Sequence, residues 1–483
     1  MDQRRTPYAD AIANYASKHY LRLNTPGHQV SDSSHPMLSE YFGNHVLNLD
    51  VQTMVEGIDL GPYPTPLDEA QLLAADAWGA ARTWFLTNGA SMGNVMACLA
   101  LRALGDKIVL QRSVHSSVID GLAFSGLAAS FIFPSVDKHL GFSNGITPAQ
   151  LRVALTENPT AVAAYVVSPS YFGAVADIPG LAEVAHSAGI PLVVDEAWGS
   201  HFGFHPDIPA SAISLGADIV ISSTHKLAGS LSQSAMLHLA HGPFTKTLEP
   251  LLARVFRSLQ STSVNSLLLA SLDIARMTMS VRGEEFIGNS MQSMNLLRTA
   301  IDESERFQDI RHQIMTYEDV MELDPMRIAI NTEIGGISGY SARSQLFEKH
   351  QIHSELATGS VVLMLCGAGA TPNVEAIVSA LHSLDTEPIS ATVTLDLPAP
   401  GKTHMTVRDA YVGKTEVVTA DAAVGRVSAE SLAAYPPGIP NLLPGEEISA
   451  EVISFLQATA KAPFGNVRGG ASEDMSAFRV VCE

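Results

Sequence analysis

Apolar positions along the first half of the chain fall into short unbroken runs. The strand candidates 83–86, 107–110, 161–167, 191–194 and 219–221 are built on runs of this kind, the first two entered through Thr83 and Lys107, and each run stops at a polar residue. Such runs are the pattern of strands buried on both faces. Between them lie stretches with helix-start punctuation. Thr65-Pro66-Leu67-Asp68 offers a cap, a proline at the first helical position and an acid in the first turn; Thr147-Pro148-Ala149-Gln150 adds a capping-box glutamine. Residues 178–189 read as a helix crossing back to the next strand. Strands alternating with helices of this size imply right-handed crossovers and a mostly parallel sheet. Ligands in such sheets gather at the carboxyl ends of the strands.

The pattern also predicts a helix over 8–20, two successive helices over 267–281 and 284–306, and a smaller region after them. In that region 327–331 and 361–366 read as strands, and 341–349 and 372–384 as helices, the latter capped by Thr371. The tail from Gly465 is rich in glycine and charge, a composition that predicts loose order.

The strand ends carry the chemistry. The 219–221 run leads into Ser222-Ser223-Thr224-His225-Lys226, and the 191–194 run into Asp195-Glu196-Ala197-Trp198. A lysine just past a buried strand is poorly solvated, so its amine can lose a proton and act as a nucleophile. A lysine and an aspartate at one sheet edge are the pair that pyridoxal phosphate (PLP) requires. The amine forms a Schiff base, and the carboxylate keeps the pyridine nitrogen protonated. Upstream, Asn88-Gly89-Ala90-Ser91 turns a strand into a helix, whose exposed amides and dipole make an anion site. Gln111-Arg112-Ser113-Val114-His115 places a histidine after another strand. Each of these, taken singly, is an ordinary structural feature; every one of them following a strand is the consistency that matters.

Ser223-Thr224-His225-Lys226 and Asp195-Glu196-Ala197-Trp198 resemble the fold-type-I PLP enzymes, and among them the Orn/Lys/Arg decarboxylase family in its short bacterial form. The resemblance extends over nearly the whole chain: Pro26-Gly27-His28, Ser168-Pro169-Ser170-Tyr171-Phe172-Gly173, Gly229-Ser230-Leu231-Ser232-Gln233, and Tyr435-Pro436-Pro437-Gly438 with Leu443-Pro444-Gly445-Glu446. It implies an α/β fold: an aspartate-aminotransferase-like large domain with a mostly parallel seven-stranded sheet, plus smaller α+β carboxyl-terminal domains. The implied boundaries are an amino-terminal segment over 1–50, the PLP-binding domain over 51–305, a small domain over 306–395 and a carboxyl-terminal domain over 396–483. It also implies roles. Lys226, His225, His115 and Asp195 are the expected catalytic residues, with His115 stacked on the pyridine ring. Lys226, Asp195, Ala197, His115, Gly89, Ala90, Ser91, Ser223 and His225 are expected to hold PLP. Thr262, in Ser261-Thr262-Ser263, is expected to reach the phosphate of a neighbouring subunit, which makes a homodimer with shared sites the smallest active unit, with a higher oligomer left open. Glutamine at 29, glycine at 61 and Ala357-Thr358-Gly359 depart from the family pattern, and no substrate contact carries over there.

Composition narrows the remainder. Over 483 residues the chain is 46% hydrophobic and 16% charged, as in a soluble enzyme of several domains. A net charge of −20 argues against a nucleic-acid partner and is compatible with a cationic substrate. Cys98, Cys366 and Cys482 are scattered, without metal-ligand spacing, and point to a reducing compartment. With no signal-like start and no apolar run of bilayer length, the expected place is the cytoplasm. The expected activity is PLP-dependent decarboxylation of lysine, ornithine or arginine. An aminotransferase or oxidase of similar substrates would use the same lysine and aspartate, and a non-catalytic PLP-fold regulator would need neither.

Overall fold

The computed structural model describes residues 1–30, 35–387, 397–435, 438–462 and 465–482. The expected boundary at 395/396 and the prolines Pro436 and Pro437 lie outside the described residues. The chain forms two compact units: residues 1–96, 196–288 and 367–369 in the first, and 97–195, 289–366 and 370–483 in the second.

Seven strands pair in a mixed pattern: β1 (Ala80–Leu86), β2 (Lys107–Gln111), β3 (Ala128–Ile132), β4 (Ala161–Val167), β5 (Leu192–Asp195), β6 (Ile219–Ser222) and β7 (Ala235–Ala240). In the second unit β3, β2, β4 and β5 run parallel in that order, joined through the pairings β2 to β3, β2 to β4 and β4 to β5. In the first unit β1, β7 and β6 are antiparallel neighbours. Parallel pairings therefore outnumber antiparallel ones, as expected. The four residues of β5 and of β6 are all buried, which is why these strands read as unbroken apolar runs rather than as alternation.

The helices that matter for the site are α1 (Gly89–Leu101), α2 (Ser116–Ser125), the single turn α3 (Thr224–Leu227) and α4 (Ser266–Asp302). The two capping predictions hold: both Thr65 and Thr147 accept from the backbone three residues on, and Asp68 and Gln150 return the bond. The two helices expected over 267–306 are one helix of 37 residues. Arg282 and Glu285 form an ion pair one turn apart that supports continuity across the expected gap. Gly283 serves packing, since a Cβ there would lie 2.9 Å from that of Phe204. The helix expected over 372–384 runs Val374–His382 and is capped by Asn373 rather than Thr371.

The first unit's core gathers Tyr8, Ile12, Trp78, Phe85, Met236 and Leu269. Within it His238 on β7 is fully buried, bonded to Thr83 of β1 at 2.9 Å and to Ser222 of β6 at 3.2 Å. Burial pushes its pKa down to about 3, so it is a neutral polar pin across three strands. In the second unit, Arg327–Asn331 and Val361–Leu365 are strands, as expected, and the structure pairs them antiparallel. The tail from Gly465 is ordered, against the compositional expectation. Asn466–Arg468 pairs with Leu432–Tyr435, and Ala477–Val481 with Thr415–Thr419. The cause is burial: Phe478 and Val480 enter a core with Leu432, Val452 and Leu456 that composition alone does not reveal.

Candidate active site

In the first unit the chain leaves β6 through Ser223, the N-cap of α3, and places Lys226 in that single turn. The amine of Lys226 stands 3.7 Å from the centroid of the Trp198 ring. Trp198 is buried and follows the strand that ends at Asp195. The amine thus faces an apolar aromatic wall, with Ala197 next to it in the chain. Glu196 turns elsewhere: its carboxylate accepts from the Ala212 N–H at 2.7 Å and the Ser211 hydroxyl at 3.0 Å. Burial pushes its pKa up to about 8, against the pull of those two bonds.

His225 Nδ1 lies 2.9 Å from the Ser234 carbonyl oxygen, which can only accept, so Nδ1 carries the proton. Burial lowers this pKa, and Lys226 lowers it further. The ring is therefore neutral at pH 7.

The turn into α1 shares this unit. Gly89 has φ +71°, a left-handed conformation that glycine adopts without strain. Ala90 and Ser91 follow in the first turn, where backbone N–H groups have no helical acceptor. Gly93 lets the helix close on the strands, because a Cβ there would lie 2.8 Å from Ile221 and 3.0 Å from Leu86 side-chain carbons. Hydrogen bonds gather the neighbouring loops. Gln233 donates to Asn88 at 3.2 Å, and Gln260 to Thr87 at 3.4 Å. Ser261, Thr262 and Ser263 are exposed just beyond Gln260, and the Thr262 carbonyl accepts from Thr53 at 2.8 Å. The Thr262 loop is therefore tied, through Gln260, to the start of its own chain's α1.

In the second unit Asp195 is buried at the carboxyl end of β5, and its carbonyl accepts from the Ser168 N–H at 3.2 Å. Burial, reinforced by the Asp195 charge, holds the Tyr165 hydroxyl protonated well above its ordinary range. His115 is the N-cap of α2. Its Nδ1 accepts from the Ser117 N–H at 3.2 Å, which leaves Nε2 to carry the proton of the neutral ring. Burial raises the carboxyl pKa of Asp120.

These residues fit PLP. An amine lies against an aromatic face, a glycine-led helix start can take a phosphate, and the buried Thr224 hydroxyl between Ser223 and His225 has no hydrogen-bond partner among the described residues.

The Orn/Lys/Arg decarboxylase major domain matches residues 6–373, and that family's carboxyl-terminal domain matches residues 393–465. The chain belongs to the Orn/Lys/Arg decarboxylase family. Among its family relatives is the arginine decarboxylase of Bacillus subtilis, 33% identical over the whole chain and 99% of the relative. The arginine decarboxylase of Halalkalibacterium halodurans is 32% identical over the whole chain and 98% of the relative. The fold matches the Escherichia coli constitutive lysine decarboxylase with a TM-score of 0.82 at 18% identity, over the whole chain and 82% of that structure. A pyridoxamine-pyruvate aminotransferase from Mesorhizobium loti matches at a TM-score of 0.51 and 14% identity, over 66% of this chain and 83% of that one. This decarboxylase family is a fold-type-I family, and its member here is an enzyme of that class.

Sequence reasoning missed Trp198 as a partner of Lys226, although the Asp-Glu-Ala-Trp motif contains it. It also missed Thr224, Gly93, Gln233 and Gln260. Gly93 had a signal: a glycine four residues into a helix costs stability unless a neighbour needs the space.

Proposed function

We propose that this chain is a PLP-dependent decarboxylase of a basic amino acid, with arginine as its main substrate and agmatine and CO2 as products. The observation that carries the proposal is the Lys226 amine held at 3.7 Å over Trp198, in the same unit as the glycine-led start of α1. The support for arginine is that the full-length relatives named above are arginine decarboxylases.

When bound, PLP supplies the electron sink for the pair left behind by CO2. Lys226 is the attachment point and afterwards the proton donor to the α-carbon. His225 is a weaker candidate for that donation, because its one proton is committed to Ser234 and burial disfavours a second. Asp195 holds the proton on the pyridine nitrogen. His115 would supply an aromatic face to PLP, and Ala197 would be among the residues that hold it. Gly89, Ala90, Ser91 and Ser223 meet the phosphate, and the orphaned Thr224 hydroxyl joins them. Thr262 completes the phosphate site of a neighbouring subunit in a homodimer. The domain division at 50/51, 305/306 and 395/396 belongs to this reading. So do a cytoplasmic location and a place in polyamine biosynthesis. No helix among the described residues is long and apolar enough to cross a membrane.

The test is product identity. Purified protein with PLP is given arginine, lysine and ornithine in turn, and CO2, amine and keto acid are measured. Agmatine and CO2 in equal amounts, fastest from arginine, are expected. A keto acid without CO2 would replace the decarboxylase with an aminotransferase or oxidase.

A further inference from the structure

Arg112 and Glu446 join two parts of the sequence that have no common function so far. Arg112 opens the Arg-x-x-His segment ending at His115. Glu446 closes the Leu443-Pro444-Gly445-Glu446 signature, more than three hundred residues later. The two side chains are only 2% and 4% exposed and meet as a two-pronged ion pair: Nη1 with Oε1, and Nη2 with Oε2 at 2.8 Å. Nε donates to the Pro440 carbonyl at 3.1 Å, and the guanidinium lies 5.0 and 5.5 Å from the ring centroids of Phe131 and Phe133. Glu446 Oε2 also accepts from the Leu443 N–H at 2.9 Å.

A buried pair of this kind is not needed for stability alone, since apolar residues of the same volume often serve as well. Its distinctive property is placement, because a forked guanidinium and a carboxylate fix each other in distance and orientation. What is placed is the turn between β2 and α2. The Arg112 N–H is bound to the Ile132 carbonyl at 2.7 Å, and Val114 is buried. His115 then caps α2 through Ser117, and its carbonyl accepts from the Val118 N–H at 2.9 Å. Two residues lie between the ion pair and the imidazole: Ser113, whose hydroxyl accepts from the Gln111 side-chain amide at 2.6 Å, and Val114, which is in the core. The far end of α2 is held from the same late part of the chain, for Arg408 reaches the Ser125 carbonyl at 3.5 Å and packs against Gly126.

We propose that Glu446 is a positioning residue of the reaction. It acts through Arg112 to fix the His115 ring, so that the carboxyl-terminal signature serves as a clamp on the turn that carries it. The proposal rests on the assignment of His115 to the PLP ring.

The test compares wild-type holoenzyme with Glu446→Gln, His115→Ala and the double variant. Glu446→Gln is expected to lower kcat by about 10–100-fold with little change in KM, the size of effect that a misplaced group produces. It should change the induced circular dichroism of bound PLP. In the protein without PLP, the Ser117 and Val118 amides should exchange with solvent about tenfold faster, since both are bonded to His115. In the His115→Ala background, Glu446→Gln should lower kcat no further. A merely structural role would lower the melting temperature but give additive losses, unchanged dichroism or unchanged exchange, and any of these overturns the clamp. A harmless His115→Ala overturns the assignment of His115 and the clamp with it; a damaging His115→Ala beside a harmless Glu446→Gln overturns the clamp alone. If Glu446→Gln does not fold, Glu446→Asp keeps the charge and retracts it by one methylene, with the same readouts and the same outcomes.

Discussion

The Lys226 amine stands 3.7 Å from the centroid of the Trp198 ring. The segment that ends β5 with Asp195 therefore also supplies the wall against which the lysine rests. Removing the amine should abolish turnover: Lys226→Ala is expected to lose the near-visible band of lysine-bound PLP together with all product formation. Trp198→Leu keeps bulk but loses the aromatic face, and should weaken turnover by about tenfold, in line with a partly desolvated cation–aromatic contact. Absorbance and product assays on both variants check this. A Lys226→Ala protein at wild-type rate would remove the lysine from the mechanism.

Asp195→Asn preserves shape and burial and removes a charge. PLP should still bind, because the phosphate groups are untouched, while kcat falls by about three orders of magnitude or more, since electron-sink strength enters the barrier directly. Equilibrium dialysis for PLP and single-turnover rates separate the two effects. A rate within a factor of a few of wild type contradicts the assigned role.

Gly93→Ala tests the packing behind the proposed phosphate turn. In an open helix the change would favour folding by nearly 1 kcal/mol. Here the new Cβ would lie 2.8 Å from Ile221 Cγ2 and 3.0 Å from Leu86 Cδ1. Overpacking of this kind costs about 1–3 kcal/mol, so the expected sign is reversed: a lower melting temperature and weaker PLP affinity. Calorimetry on the protein with and without PLP reads both.

Glu196 gives a pH dependence of defined sign. Its pKa in the folded protein, about 8, lies above its ordinary value of 4.5 because the carboxyl is buried. Its contribution to stability is therefore full below pH 4.5 and is lost as pH rises to about 8, at up to roughly 1.4 kcal/mol per pH unit. Glu196→Gln keeps an acceptor for the Ala212 N–H and removes the titration. The variant should match wild type near pH 5 and melt at a higher temperature near pH 8.5. Equal melting temperatures at both pH values would mean that Glu196 is not held protonated.

The shared site can be examined by complementation. Thr262→Val should weaken PLP binding. The bond from Gln260 to Thr87 ties this loop to its own chain's α1, so the experiment must distinguish the two subunits. Mixed with Lys226→Ala protein, Thr262→Val protein should regain activity, because a mixed dimer then contains one site with both residues intact. Absence of recovery from verified mixed dimers at limiting PLP would assign Thr262 to its own chain's site.

The sequence by itself determined the strand series and singled out the candidate site residues. Strands buried on both faces, such as β5 and β6, are apolar up to their last residue, so Asp195, Ser222 and the lysine beyond it stand out where the runs stop. Caps such as Thr65 and Thr147 are local, since the hydrogen bonds they make reach only three residues along the chain. Tertiary structure decided what depends on distant residues. The continuity of α4 through Gly283 follows from Phe204, which needs the missing Cβ. The order of the tail follows from the burial of Phe478 and Val480 among residues that precede it by up to about fifty positions. The neutral His238 pin, the protonated Glu196, the wall of Trp198 over Lys226 and the clamp of Glu446 on Arg112 all arise from burial or from pairings across the fold. Composition and periodicity carry no information about which buried polar group finds which partner, because that choice is made only when the chain closes around them.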